Sequence, residues 1–346
     1  MRPRAGRWRS WRLHRERWLL AAAAFALAAT FLRPKLPVQR QLFEHVVVID
    51  ISQSMNVTDQ RLDGKPVSRL VYAKSALRLA LTALPCGSKL GWAVFTGYRS
   101  YLLSTPVEVC ANLGELRSTL ASIDGLMSWV GGSEIAKGLH SGLLTVKQLP
   151  GVPTLVFVTD GHEAPPLNPR HRPAFDDDPG KVPALILGVG DPKPSPIPKS
   201  DPQGRPLGYW RAEDVAQSDP YSQGRGASVA GESMVEPQDA KAPAAPGAAL
   251  GATPQFEHLS GLREPYLQLL AAEQGMAYLR LQSPRGLVAA LTAPAFARPV
   301  RVRADARPVL AGLALVLLLA RHLRWPGTSR RWAWPMRGRT SAPSAR

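Results

Sequence analysis

Two apolar, β-branched runs, Glu44-His-Val-Val-Val-Ile-Asp50 and Pro153-Thr-Leu-Val-Phe-Val-Thr159, each deliver an aspartate at their ends, Asp50 and Asp160. A run without polar alternation has no solvent face, so each reads as a strand covered on both sides, as in the middle of a parallel sheet. Pro183-Ala-Leu-Ile-Leu-Gly-Val189 is a third such strand. Helical periodicity separates them. Leu70, Ala73, Leu77 and Leu81 recur on one face of residues 68–84, which Pro85 ends. Residues 113–123 and 134–148 read as further helices. Strand–helix alternation of this kind predicts an α/β fold with a doubly wound, mainly parallel sheet. Lys89–Thr96 and Ser100–Ser104, separated by Gly-Tyr-Arg, read as a hairpin and supply one antiparallel edge strand. Beyond residue 191 the texture changes. Residues 192–257 are rich in Pro, Gly and Ala, and read as a solvated, partly disordered insertion. Order resumes with a helix over 259–274, a short strand over 276–281 and a helical turn or two over 286–291, so the domain is set at 44–293, and the Pro/Arg-rich segment Arg33 to Arg40 before it reads as a stalk.

The formal net charge of +17 is unevenly placed: +6 in residues 1–17, +7 in residues 321–346, and only +4 across everything between. Each basic tail abuts an apolar run, at 18–32 and at 308–320, and six of the nine tryptophans (8, 11, 18, 325, 332 and 334) lie in or beside the tails. Arginine clusters beside aromatic-flanked apolar runs mark cytoplasmic membrane edges. The expectation is two transmembrane segments, 18–32 and 308–320, with both tails cytoplasmic and the domain across the inner membrane in the periplasm. For the first run the alternative is a cleaved signal sequence, and for the second a helix buried in the domain; both runs fall short of the ~20 residues of a comfortable span. Cys86 precedes the hairpin and Cys110 follows it, so the hairpin returns them to one end of the sheet. A disulfide suits an exported domain, and two buried thiols are the alternative.

Three loops at strand ends offer hard oxygens: Asp50, Ser52 and Ser54 in the first, Ser133 in the second, Asp160 in the third. Carboxylates and hydroxyls without His or Cys suit Mg²⁺, Ca²⁺ or Mn²⁺ rather than Zn²⁺. In doubly wound sheets ligands bind at the carboxyl edge where strand order reverses, and Asp50 and Asp160 end the two strands that would flank that reversal.

Asp50-x-Ser52-x-Ser54-Met55 after a strand, Gly-Gly-Ser133 before a helix and Val-Thr-Asp160-Gly161 after a second strand resemble the metal-ion-dependent adhesion site of von Willebrand factor A (VWA) domains. That resemblance implies that Ser52, Ser54 and Ser133 ligate a divalent cation, Mg²⁺ before Ca²⁺ or Mn²⁺. Asp50 and Asp160 then act through bound water, and a partner's carboxylate completes the coordination. Most relatives carry Thr where Ser133 stands, which implies a looser site, since Ser lacks the methyl that restricts the rotamer. Asp50-Ile-Ser-x-Ser-Met, Ser-Arg69-Leu, Phe95-Thr-Gly-Tyr-Arg with Tyr101-Leu-Leu, and Gly188-Val-Gly with Pro196-Ile-Pro are similar to Bat-type bacterial VWA proteins. Val109-Cys-Ala-Asn-Leu, Ser133-Glu-Ile-Ala-Lys-Gly-Leu, Thr159-Asp-Gly-His-Glu-Ala-Pro-Pro and Arg263-Glu-Pro-Tyr-Leu resemble the MxaL-type VWA proteins of methylotrophs. The narrower resemblance implies a part in maturing periplasmic methanol dehydrogenase by calcium insertion, with other VWA and membrane proteins and a MoxR-type AAA+ ATPase as partners.

Other chemistries find less support. Ser54 and Ser133 sit in no nucleophile elbow and have no base placed for them. No Gly-x4-Gly-Lys phosphate loop is present, and the aromatics of the tails flank apolar runs instead of lining a groove, against nucleic-acid binding. The chain therefore reads as a non-enzymatic assembly factor, with a Bat-type stress-tolerance component or a cation-dependent adhesin as the alternatives. His162-Glu163 is read as a loop pair that positions a partner or meets solvent, and Asp176-Asp-Asp178 as a solvated turn.

Overall fold

The structure, a computed structural model, describes residues 5–167, 173–175, 178–215, 232–234 and 256–322. The basic tail beyond residue 322, Asp176, Asp177 and much of the insertion lie outside the described residues.

Residues 40–300 form one compact unit. Its sheet contains β1 (Glu44–Asp50), β2 (Lys89–Thr96), β3 (Arg99–Glu108), β4 (Thr154–Thr159), β5 (Ala184–Gly188) and β6 (Ala277–Arg280), in the order β6-β5-β4-β1-β2-β3. All neighbours are parallel except β2 and β3, so β3 is the antiparallel edge. The α/β, VWA-like plan with a mainly parallel sheet thus stands as expected. Alternate residues of each strand face opposite sides. Val47, Ile49, Trp92, Val94, Val156 and Val158 meet α1 (Arg69–Ala83), α2 (Leu113–Ser122) and α5 (Pro284–Leu291). On the other side Val46, Val48, Ala93, Phe95, Leu155 and Phe157 meet α3 (Ile135–Lys147) and α4 (Glu264–Glu273). Double coverage explains why these strands read as unbroken apolar runs. The packing is close: a β-carbon on Gly138 of α3 would overlap the ring of Phe95.

Helix starts follow local chemistry. The Ser68 hydroxyl accepts from the amide of Val71 to cap α1, and Ser283 caps α5 in the same way. The helix expected from residue 259 begins only at Glu264. Leu259–Ser260 pairs instead with Ser195–Pro196, the amides of Leu262 and Arg263 are spent on the carbonyls of Asp191 and Asp160, and Pro265 suits a first turn. Cys86 and Cys110 are disulfide-bonded, with 5.3 Å between their Cα atoms, and close the β2–β3 hairpin at the amino edge of the parallel strands.

The insertion is not uniformly loop. Pro198–Ser200 and Pro206–Tyr209 form an antiparallel hairpin, and Trp210 returns its amide to the carbonyl of Ile197. Asp178 meets solvent and pairs with Lys181 at 2.8 Å.

The described residues of 1–39 and 301–322 form the second unit. Within it the helix Ala5–Thr30 packs on Arg307–His322 through Ala23, Ala26 and Ala314, while Phe25, Phe31, Leu32, Val309, Leu315 and Val316 stay exposed. The stalk expected between Arg33 and Arg40 is instead strand: Lys35–Leu42 pairs with Arg298–Asp305. Among the described residues no helix is long and apolar enough to cross a membrane, so the two expected spans are not realised as such. The 16-residue helix Arg307–His322 reaches about 24 Å against a hydrocarbon core of about 30 Å. Ala5–Thr30 is longer, but its first half carries several arginines and Glu16.

Candidate metal centre

The chain builds β1, β2 and β3 to one side, then crosses to β4, β5 and β6 on the other, so strand order reverses between β1 and β4. Asp50 closes β1 and Asp160 follows β4, and both are fully buried. The intervening loop turns through a short 3-10 segment, Gln53–Asn56, that folds Ser52 and Ser54 back over the edge. Their hydroxyl oxygens lie 3.1 Å apart, and Ser54 also hydrogen-bonds Asp160. Four of the five residues read from the sequence thereby meet in one buried cluster.

Ser133, the fifth, is tied through the backbone to the loop that follows Asp160. Its amide donates to the Ala164 carbonyl at 2.6 Å, the Ala164 amide returns the bond at 2.8 Å, and the next amide, of Glu134, donates to Gly97. The Ser133 hydroxyl donates to the carbonyl of His162, two residues past Asp160, at 2.8 Å.

The two carboxylates are held differently. Asp50 Oδ1 accepts from the Ser52 amide at 2.8 Å and Oδ2 from the Thr159 hydroxyl at 2.6 Å, all neutral donors. Burial, then repulsion from Asp160, pushes its pKa up to about 7. Asp160 Oδ1 accepts from the His162 amide, and Oδ2 from Arg69 Nη1 at 2.5 Å and the Ser260 hydroxyl at 3.0 Å. Burial, the largest single influence, opposes ionisation there too, but the Arg69 guanidinium, His162 and the hydrogen bonds from the His162 amide and Ser54 together outweigh it and hold Asp160 below the usual carboxylate range.

Arg69 and its second anchor Asp59 were not assigned to the site from sequence. Arg69 is fully buried; Nε and Nη2 donate to Asp59 Oδ2 at 2.9 and 2.6 Å, and Nη2 also donates to the Ser260 carbonyl at 2.9 Å. A signal existed: Arg69 lies on the same helical stripe as Tyr72, Ala73 and Ala76, where a charge needs a partner.

His162 and Glu163 do not meet solvent, contrary to the sequence reading; both are buried. Burial brings the His162 pKa down to about 4, and pushes that of Glu163 up to about 8. Glu163 Oε1 accepts from Tyr266 at 2.5 Å and from the first turn of α3, so Glu163 ties the loop to α3 and α4. From the insertion, the Trp210 indole N–H donates to Gln53 inside the metal loop, and Lys199 stacks on the same ring at 4.4 Å.

The donor set fits a hard divalent cation: neutral hydroxyls converge beside two buried carboxylates, of which only one has a positive partner among the described residues. The cluster of Cys86, Glu108 and Cys110 does not, since both sulfurs are spent in the disulfide.

Residues 45–162 match the sequence pattern of the family described as von Willebrand factor type A domain, whose members commonly bind a divalent metal at such a site. No curated protein sequence matches the chain. Among solved structures, it is similar to an aerotolerance-related membrane protein of Bacteroides fragilis, with 17% identity, a TM-score of 0.44 and coverage of 73% of this chain and 98% of that one. A von Willebrand factor type A protein of Catenulispora acidiphila shows 11% identity and a TM-score of 0.36, over 81% of this chain and 44% of that one. An uncharacterised membrane-spanning protein of Vibrio fischeri shows 17% identity and a TM-score of 0.26, over 70% and 94%.

Proposed function

We propose that this chain, with its VWA-type domain, is a membrane-attached assembly factor that uses a divalent cation, Mg²⁺ first, to grip an acidic group on a client protein outside the cytoplasm. The observation that carries this reading is the burial of Ser52 and Ser54 together with Asp50 and Asp160 at the carboxyl edge. A cation bound there would offer an electrophilic position to a carboxylate oxygen. Ser52, Ser54 and Ser133 would hold it directly; Asp50 and Asp160, already engaged by Thr159 and Arg69, would act through water. Among the described residues no general base or redox group is placed at the cluster, which supports recognition as the role. Membrane attachment is supported by the outward apolar side chains of the paired terminal helices and by the basic tails beside them.

The client we infer is periplasmic methanol dehydrogenase, with calcium insertion as the task and a MoxR-type AAA+ ATPase and further VWA proteins as co-workers. This rests on the motif resemblance around Val109, Ser133, Thr159 and Arg263. The second reading is a Bat-type stress-tolerance component, favoured by the Ser68-Arg69-Leu70 motif that supplies the buried arginine. Affinity purification from solubilised membranes, in Mg²⁺ or in chelator, tests both. Client capture should need Mg²⁺ and vanish in Asp50→Ala; a methanol dehydrogenase subunit among the captured proteins supports the first reading, and its absence beside other Mg²⁺-dependent partners supports the second. Equal capture in chelator would remove the cation from recognition.

A further inference from the structure

Arg69 puts a permanent positive charge inside a site suited to a cation. Its guanidinium cannot deprotonate in a protein, it is fully buried, and it takes up Asp160 Oδ2 at 2.5 Å while the His162 amide takes up Oδ1. An ion seated at Ser52 and Ser54 would lie beside Asp160, which Ser54 already hydrogen-bonds. We propose that Arg69 sets the affinity of the cation site by competing with the incoming ion for Asp160. This inference rests on the reading of the cluster as a cation site.

The geometry gives the competition a second hand. Asp59 accepts two bonds from Arg69, from Nε and Nη2, on the side away from Asp160. Asp59 therefore draws the guanidinium off Asp160 and favours loading, without being a ligand itself. Ser260 steadies the arrangement, taking Nη1 on its hydroxyl at 2.7 Å and Nη2 on its carbonyl at 2.9 Å. Ser260 lies in the strand pair with Ser195–Pro196 where the insertion leaves and re-enters the domain, and the amide of Asp191 donates to the same Asp59 oxygen. Arg69 is thus held in place from the insertion side and from the metal loop at once.

A merely structural arginine and a competing one predict opposite results, because losing a brace weakens a site and losing a competitor tightens it. Mg²⁺ titrated by calorimetry into the purified full-length chain reads the difference. Arg69→Gln should bind Mg²⁺ at least tenfold more tightly than the wild type, and Asp59→Asn several-fold more weakly. In the double variant the effect of Asp59→Asn should disappear, since it acts through the guanidinium. Unchanged or weaker binding by Arg69→Gln overturns the proposal. Should that variant fail to fold, Asp59→Asn decides alone, and unchanged or tighter binding by it overturns the proposal. A wild type that binds no Mg²⁺ brings down the cation reading and this inference together, whereas binding by the wild type without tightening in Arg69→Gln brings down this inference only.

Discussion

Asp50 and Asp160 end adjacent parallel strands and are equally buried, yet their pKa values move in opposite directions. Around Asp50 every donor is neutral, an amide and a hydroxyl, and its charge is left largely uncompensated. Around Asp160 a buried guanidinium supplies a full counter-charge. Burial by itself does not decide whether a carboxylate stays ionised; the formal charge of its partners does.

Breaking the comparison should be easiest at Asp160. Asp160→Ala leaves Arg69 buried with half of its counter-charge and should cost about 3–5 kcal/mol, read by urea denaturation in chelator. Asp50→Asn should instead be neutral or stabilise by about 1 kcal/mol at pH 8. The sign follows from the raised pKa: between the ordinary value near 3.8 and about 7 the folded chain keeps a proton that the unfolded chain has lost, so stability falls as pH rises through that window. Equal losses in the two variants would erase the distinction. A control comes from the opposite edge of the sheet. Replacing Cys86 and Cys110 by Ser should cost about 3 kcal/mol for a loop of this length while leaving Mg²⁺ affinity unchanged; a change in affinity would mean that the two edges are not independent.

Glu163 sharpens the contrast as a third buried carboxyl, one without a positive partner among the described residues. Its pKa of about 8 implies that the folded chain holds the Glu163 proton from pH 4.5 up to about 8, so that its contribution to stability falls across that range. Glu163→Gln should therefore gain about 2 kcal/mol relative to wild type between pH 5 and pH 6.5, measured by denaturation at both values; a constant difference would show Glu163 to be ionised throughout. The smallest effect is expected at Ser133→Thr, a few-fold tightening of Mg²⁺ binding, under about 1 kcal/mol by calorimetry, because the added methyl restricts the hydroxyl rotamer.

The sheet was legible because its strands are covered on both faces and therefore carry no polar alternation, and the hairpin because Gly-Tyr-Arg interrupts two such runs. What escaped the sequence depends on partners far along the chain. The helix at Glu264 starts late because Ser260 pairs with Ser195 and Arg263 bonds Asp160, neither of which periodicity can register. The strand 35–42 reads as a stalk because its partner lies more than 250 residues away, at 298–305. Arg69 stood in a quoted motif without a role, since its meaning depends on Asp59 and Asp160 arriving from two other segments. The Trp210–Gln53 contact was hidden by the low-complexity texture around it.

Ser133 is fastened to the fold by main-chain bonds, reciprocal with Ala164 on one side and through the next amide to Gly97 on the other. Such bonds are indifferent to which side chain the residue bears. The address of this corner is thus written in the backbone, and its tenant can be exchanged. A lineage could pass between serine and threonine here and still inherit the same doorway on the sheet. If the proposed cation binds here, its affinity would be free to drift while the architecture that presents it stays put.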